Sequence, residues 1–219
     1  MNYLTEVKAI KEVEEGTYLK VFIPKEYVKD TIERFKQGNK AFAEIRLDDN
    51  RRITNEQRKK YFATLKDIAD YTGNVLEDMH DYFKFIYCYR NRQEYISMSD
   101  CSVTEAREMI NIILDFALEN DIPLSDLGIN RTDDINRYLY SCLINRRCMC
   151  CGKKADIHHV DKVGMGRNRN KINHVGLRAM SLCRVHHTES HNIGEKEFYD
   201  KYKVHPIKLD EIAVKKLGL

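Results

Sequence analysis

The sequence predicts an α+β protein, with a small N-terminal β-sheet plus helices and a C-terminal part built around metal ligands. Short segments of strand-like composition occur before residue 50. Apolar residues then recur at helical spacing between helix-capping signals. Cysteine and histidine side chains that can bind metal ions crowd into residues 148–191. Together these observations indicate a mixed fold whose chemistry lies near the C-terminus.

The N-terminal strands are predicted from short alternating segments. Residues 3–10 and 17–23 have the composition of strands and are separated by a Glu-Glu-Gly turn. Apolar residues at helical spacing follow Pro24, and residues 41–47 form a third candidate strand. The opening of the chain is therefore expected to be a β-β-α-β unit.

Capping signals mark the helices that follow. Thr54 and Gln57 have the spacing of a capping box, and this helix is expected to end at Gly73. Ser102 and Glu105 repeat the same signal before another helix. Further helices are predicted directly after Gly73 and over residues 134–146, 195–202 and 209–217.

The length of 219 residues favours two small domains over one large one. Residues 125–133 are polar and contain Gly128, so we place domains over 1–128 and 129–219. The sequence has no run of about 18 uncharged apolar residues, which predicts no membrane span. The N-terminus lacks a secretory pattern, and seven cysteines, an odd count, favour metal ligation in a reducing compartment. We therefore expect a cytoplasmic protein.

Positive charge is concentrated in residues 146–178. This stretch holds nine basic and two acidic residues, a net charge of +7, whereas the rest of the chain sums to −4. A basic run alone is most often a solvated loop. Beside metal ligands, it is instead suited to a polyphosphate substrate.

Four side chains have the spacing of a closed zinc site. Cys148 and Cys151 form one C-x-x-ligand pair, and Cys183 and His186 form a second about 30 residues later. Four such donors are typical of structural zinc. Cys150 could replace either neighbouring cysteine, although two intervening residues favour Cys148 and Cys151. A redox C-x-x-C motif is the alternative, but it leaves the second pair unexplained.

The remaining histidines of this region predict a second, open site. His187 and His191 are four residues apart and would share one helix face. In a strand, His158 and His159 point to opposite faces, so they cannot share one role. One could bind an ion together with the helical pair, while the other stands across a cleft as a general base.

A basic, glycine-containing loop lies between the two halves of these motifs. Its glycines allow close approach of a ligand to the backbone, and arginine guanidinium groups bind phosphate through paired donors. A solvated loop is the alternative. The candidate nucleic-acid-binding residues are Arg167, Arg169, Lys171 and Arg178.

The C-terminal motifs resemble those of the HNH (His-Me finger) endonuclease family, in the subset with a zinc knuckle. The pattern stands here as Cys148-x-x-Cys151, Ile157-His158-His159 and Leu182-Cys183-x-x-His186-His187-x-x-x-His191. The resemblance covers about residues 148–198. It implies a zinc-bound ββα nuclease domain in which His186 replaces the last cysteine of the knuckle.

The resemblance also implies catalytic roles. His159 would be the general base, and His158, His187 and His191 would hold a catalytic Mg²⁺ or Mn²⁺ ion. The products would carry a 5′-phosphate and a 3′-hydroxyl.

The family's central asparagine has no direct counterpart in this sequence. Its usual place is near Arg178. Asn173 and His174 are the nearby candidates for orienting the base, and we take His174 as the second catalytic residue.

Residues of roughly 40–125 resemble a second family, the NinB (Orf) recombination mediators of phages. The likeness lies in the segment from Arg52 to Tyr61 with Asp67, and in the segment from Ser97 to Glu105. It implies single-stranded-DNA binding, a homodimer, and a single-strand-binding protein as a candidate partner.

The sequence thus predicts a phage-type DNA endonuclease that acts in recombination or replication in the cytoplasm of an infected or lysogenic bacterium. Single-stranded or branched DNA is the favoured substrate, and RNA stays an alternative. A zinc-stabilised recombination mediator without nuclease activity is the second hypothesis. A sequence-specific restriction or homing-type nuclease ranks third, because the sequence shows no dedicated recognition element.

Overall fold

Helices and two small antiparallel sheets form an α+β architecture, as expected from the sequence. The computed structural model describes residues 6–23, 28–36, 38–42, 51–93, 95–161 and 173–219. The strands are β1 (Glu6–Val13), β2 (Gly16–Phe22), β3 (Asp156–His159), β4 (Arg178–Leu182) and β5 (Ile207–Lys208). The helices are α1 (Val28–Phe35), α2 (Asn55–Thr72), α3 (Leu76–Asn91), α4 (Val103–Glu119), α5 (Gly128–Arg131), α6 (Ile135–Ile144), α7 (Arg184–Ile193), α8 (Glu195–Tyr202) and α9 (Glu211–Leu217). Among these helices, none is long and apolar enough to cross a membrane.

Strands β1 and β2 form the predicted N-terminal hairpin. They pair antiparallel from Glu6 opposite Phe22 to Val13 opposite Gly16. Strand β1 extends further than predicted because its ladder continues to the two-residue turn. The third predicted strand, over residues 41–47, lies mostly outside the described residues.

Both predicted capping boxes are present. The Thr54 hydroxyl accepts a hydrogen bond from the Gln57 amide at 3.1 Å, and the Gln57 side chain accepts one from the Thr54 amide at 3.1 Å. Ser102 and Glu105 form the same reciprocal pair at the start of α4. Each such cap stabilises its helix by about 1 kcal/mol. The boxes therefore fix where α2 and α4 begin, on either side of an Arg52–Ser102 backbone bridge.

The hydrophobic core joins the helical part of the chain to the C-terminal part. Its largest fully buried side chains are Tyr61, Tyr87, Phe83, Phe198, Leu65, Ile68, Met109, Ile110, Ile113, Leu114, Leu139 and Leu143. These residues come from both sides of position 128. Burial of their apolar surface is the main force that holds the elements together.

The polar stretch 125–133 contains the short helix α5, which the sequence did not predict. The amide and hydroxyl of Ser125 both donate to the Asp67 carboxylate at 3.0 Å, and Lys60 pairs with Asp133 at 2.6 Å. A β-carbon on Gly128 would lie 2.2 Å from the Tyr138 hydroxyl oxygen. Glycine is therefore required here for close packing. The domain boundary at residue 128 stays a prediction.

The C-terminal sheet has the order β3–β4–β5, and all its pairs are antiparallel. Strand β4 is its centre and is buried from Ala179 to Leu182. Strand β5 was not predicted, because two residues after Pro206 are too few to show an alternating pattern. Helix α7 begins directly after β4 and Cys183, so the sheet and this helix together position the histidines.

Candidate metal and active site

A tight turn after α6 carries the first two cysteines of the cluster. The Cys148 amide donates to the Lys153 carbonyl at 2.7 Å, and the Gly152 amide donates to the Cys148 carbonyl at 2.8 Å. Gly152 has a φ of 72°, a left-handed conformation that favours glycine. The Met149 amide donates to the Ser181 carbonyl at 3.0 Å, which fixes the turn to β4.

The four predicted zinc ligands lie together. The ligand atoms of Cys148, Cys151, Cys183 and His186 all lie within 4.8 Å of one another. The Cys151 and Cys183 sulfurs are 3.8 Å apart, and the Cys183 sulfur is 3.2 Å from Nδ1 of His186. Two thiolates on one tetrahedral zinc, each bound at about 2.3 Å, would lie about 3.8 Å apart. The donor set and spacing therefore fit a zinc ion.

Cys150 is buried but lies outside this ligand cluster. The neighbouring Cys150 thiol, together with backbone amides, lowers the pKa of the Cys148 thiol well below its usual range. Burial raises the pKa of Cys151 to about 12. Cys148 is thus prepared as a thiolate, the form that binds metal. Cys150 is therefore a neighbour that stabilises the Cys148 thiolate.

Three histidines from β3 and α7 form a second cluster. The ligand nitrogens of His158, His187 and His191 lie within 4.8 Å of one another, and the first two are partly buried while His191 is exposed. Nδ1 of His158 is 2.9 Å from Nε2 of His187. The His187 and His191 rings, one helical turn apart, have centroids separated by 4.8 Å. Three imidazoles with one exposed side can hold a divalent ion and leave positions open.

The protonation of this cluster suits ligand binding. Burial, and then the neighbouring His187 and His191, lower the pKa of His158. Burial, and then His191 and Arg184, lower the pKa of His187. Both rings are therefore neutral at physiological pH, and a neutral imidazole is the form that binds metal.

His159 contacts a different partner, as alternation along β3 requires. Its Nε2 lies 3.1 Å from Nδ1 of His174, whereas the His158 ring packs against His187 and His191. Asn173, the other candidate for the base-orienting position, accepts a hydrogen bond from the Val175 amide through its side chain. Of the two candidates, His174 is the one in contact with His159.

The predicted nucleic-acid contacts are only partly within the described residues. Arg167, Arg169 and Lys171 lie outside them. Arg178 begins β4, and its guanidinium donates to the Asp161 carboxylate from Nε at 2.9 Å and from a terminal nitrogen at 2.7 Å. Asp161 is not among the site residues predicted from the sequence. Its position opposite the start of β4 results from strand pairing, which the sequence alone does not show.

The arrangement places one imidazole pair and one three-histidine cluster on opposite faces of the same strand, beside a four-ligand cysteine and histidine cluster. A family described as "Putative HNHc nuclease" matches residues 25–219. Comparisons with curated proteins and with solved structures find no match. The family match spans most of the chain, including both ligand clusters and the His159–His174 pair, and the chain therefore belongs to the HNH nuclease family.

Proposed function

We propose that the protein is a metal-dependent DNA endonuclease that uses His159 as its general base. The observation that carries the proposal is the opposite placement of two neighbouring histidines. His158 contacts His187 and His191, while His159 contacts His174. One strand can thus present an ion and a base to the same phosphodiester.

The proposed metal ions follow from the two ligand sets. Cys148, Cys151, Cys183 and His186 would hold structural zinc. His158, His187 and His191 would hold the catalytic Mg²⁺ or Mn²⁺. Such an ion supplies positive charge where negative charge develops on the phosphate and the leaving 3′ oxygen.

The residues of this chain would activate the water. His159 accepts a proton from the attacking water on Nδ1, the ring nitrogen that does not face His174. His174 holds the ring of His159 in position through their contact. The hydroxide attacks phosphorus and the bond to the 3′ oxygen breaks, which leaves a 5′-phosphate and, after protonation, a 3′-hydroxyl.

Finer parts of the proposal rest on the sequence resemblance. The succession β3, β4 and α7 supports a ββα nuclease motif held by a zinc knuckle, within a domain over 129–219. A NinB-like DNA-binding domain over 1–128, a homodimer and a single-strand-binding protein partner stay predictions. So do the role in phage recombination or replication and the cytoplasmic location.

Cleavage of defined nucleic acids tests the central proposal. Single-stranded, duplex, flapped and four-way-junction DNA, with a single-stranded RNA for comparison, are incubated with and without Mg²⁺ or Mn²⁺. We expect the wild type to cut only with the ion, and His159→Ala to bind without cutting. Cleavage that survives this substitution would remove His159 from its role.

A recombination mediator without nuclease activity is the second candidate function. It is motivated by His174, which stands near the place where the family resemblance expects asparagine. This hypothesis predicts salt-sensitive DNA binding with no cleavage under any divalent ion. Metal-dependent nicking by the wild type would reject it.

A further inference from the structure

An open pocket lies where helices α2 and α4 begin, apart from both ligand clusters. Its volume is about 610 Å³. It is lined by Arg51, Arg52, Thr54, Glu56, Gln57, Lys60, Val103, Arg107 and Asp133. The lining includes four basic and two acidic side chains, so the pocket carries an excess of positive charge.

Some of the charged side chains in this pocket form ion pairs with one another. Lys60 bonds to Asp133 at 2.6 Å, so these two charges offset each other. Arg52 is exposed and donates from one terminal nitrogen to the Asp100 carbonyl at 3.2 Å. Nε of Arg107 is buried and has no hydrogen-bond partner among the described residues. A buried donor without a partner costs free energy, so Arg107 adds little to stability through this atom.

The two helices add to the positive potential. The pocket is lined by Thr54 and Gln57 from the start of α2 and by Val103 from the start of α4. The positive ends of two long helix dipoles therefore meet at one place. The Val103 amide donates to the Arg51 carbonyl at 3.0 Å, which holds the two helix starts together. The pocket thus combines an excess of basic side chains with two helix starts, whose positive ends are partly offset by Glu56 and Glu105.

We infer that this pocket binds a backbone phosphate of the nucleic acid at a distance from the cleaved bond. The choice of nucleic acid rests on the proposed function. Among the described residues, none that lines the pocket has an aromatic ring on which a base could stack, so a sugar–phosphate backbone fits better than a nucleotide. The contact would position the substrate without reading its sequence.

Arg107→Met gives the sharpest test. It removes the charge and the unsatisfied donor while keeping an unbranched side chain in place. Binding of a fluorescent single strand and a fluorescent duplex is measured against NaCl concentration in the full chain, with His159→Ala present throughout to prevent cleavage. Lys59→Met, at an exposed position of α2 outside the pocket, is the matched control.

We expect Arg107→Met to weaken binding about fivefold for every sequence tested and to reduce the salt slope by about one phosphate contact. The thermal stability of Arg107→Met should equal or exceed that of the control. If Arg107 served only to stabilise the fold, its replacement would lower the thermal stability. If Arg107→Met does not fold, Arg52→Gln, at an exposed position of the pocket, is used instead, and its oligonucleotide affinity and salt slope should fall in the same direction. Affinity and salt slope equal to those of Lys59→Met would overturn the inference.

Competition separates the sources of phosphate. Inorganic phosphate at millimolar concentration is added to the wild type and to Arg107→Met. If it binds only the wild type and leaves oligonucleotide affinity unchanged, the pocket binds a free anion and the inference is overturned. DNA binding that depends on Arg107 without any cleavage would support the pocket while removing the nuclease proposal. If the wild type cleaves DNA but neither pocket variant changes binding, the nuclease proposal is supported and the pocket inference is overturned.

Discussion

Nε2 of His159 lies 3.1 Å from Nδ1 of His174, and the two rings are inclined at 51°. The first residue ends β3, and the second precedes β4. Pairing of these strands, with His159 opposite Ala179, brings the two imidazoles together across 15 positions of sequence. His174 is therefore placed to orient the ring of the proposed base.

Replacing His174 should slow cleavage without weakening substrate binding. We expect His174→Ala to lower kcat about 10–100-fold at nearly constant KM, as when the partner that orients a functional histidine is lost. His174→Asn should recover part of the loss, since its amide can still bond to the ring. Asn173→Ala is the control, because that side chain only caps a local turn. An equal loss in the control would contradict the orienting role.

Loss of one ligand from the cysteine cluster should destabilise the C-terminal part. Cys151→Ser removes one of four donors and should eliminate tightly bound zinc, as measured by metal analysis of the purified protein. The Tm should fall by about 10 °C, given that each kcal/mol lowers it by about 2–4 °C in a chain of this size. Cys150→Ser should keep one zinc per chain, because Cys150 lies outside the cluster. Zinc loss in the Cys150 variant would show that Cys150 is itself a ligand.

The affinity of the histidine cluster for Mn²⁺ should persist to lower pH than ordinary histidines allow. Protons compete with the ion for the ring nitrogens, and the lowered pKa of His158 and His187 keeps these rings neutral below the usual value of about 6.5. Affinity should therefore hold as pH falls to 6.5 and decline only below it. Calorimetric titration across pH 5–8 measures this, with His187→Gln as the weakened control. A midpoint above pH 6.5 would contradict the expected direction.

Gly128→Ala should destabilise the protein through steric overlap. The added β-carbon would meet the Tyr138 hydroxyl oxygen at 2.2 Å, and Tyr138 is almost fully buried. Overpacking of this kind costs about 1–3 kcal/mol of unfolding free energy, which denaturant titration can measure. Asn130→Ala, on the exposed side of the same short helix, should cost less. Equal stability of Gly128→Ala and the wild type would show that α5 shifts freely.

Local signals in the sequence determined where α2 and α4 begin and the helical spacing of His187 and His191. The Thr54–Gln57 and Ser102–Glu105 capping boxes depend on residues three positions apart, so no distant contact is needed to predict them. The spacing of His187 and His191 follows from helix periodicity in the same way. These predictions succeeded because the physical cause lies within one turn of chain.

The tertiary structure decided which side chains from distant segments of the chain contact one another. The Asp161–Arg178 pair and the contact between His159 and His174 depend on the register of β3 against β4. The position of Cys150 outside the cluster of three cysteines and His186, and the pocket between the starts of α2 and α4, depend on packing of whole elements. A sequence pattern fixes which side chains can bind a ligand, but only the folded chain sets the distances between them, because those distances result from burial and strand pairing across many residues.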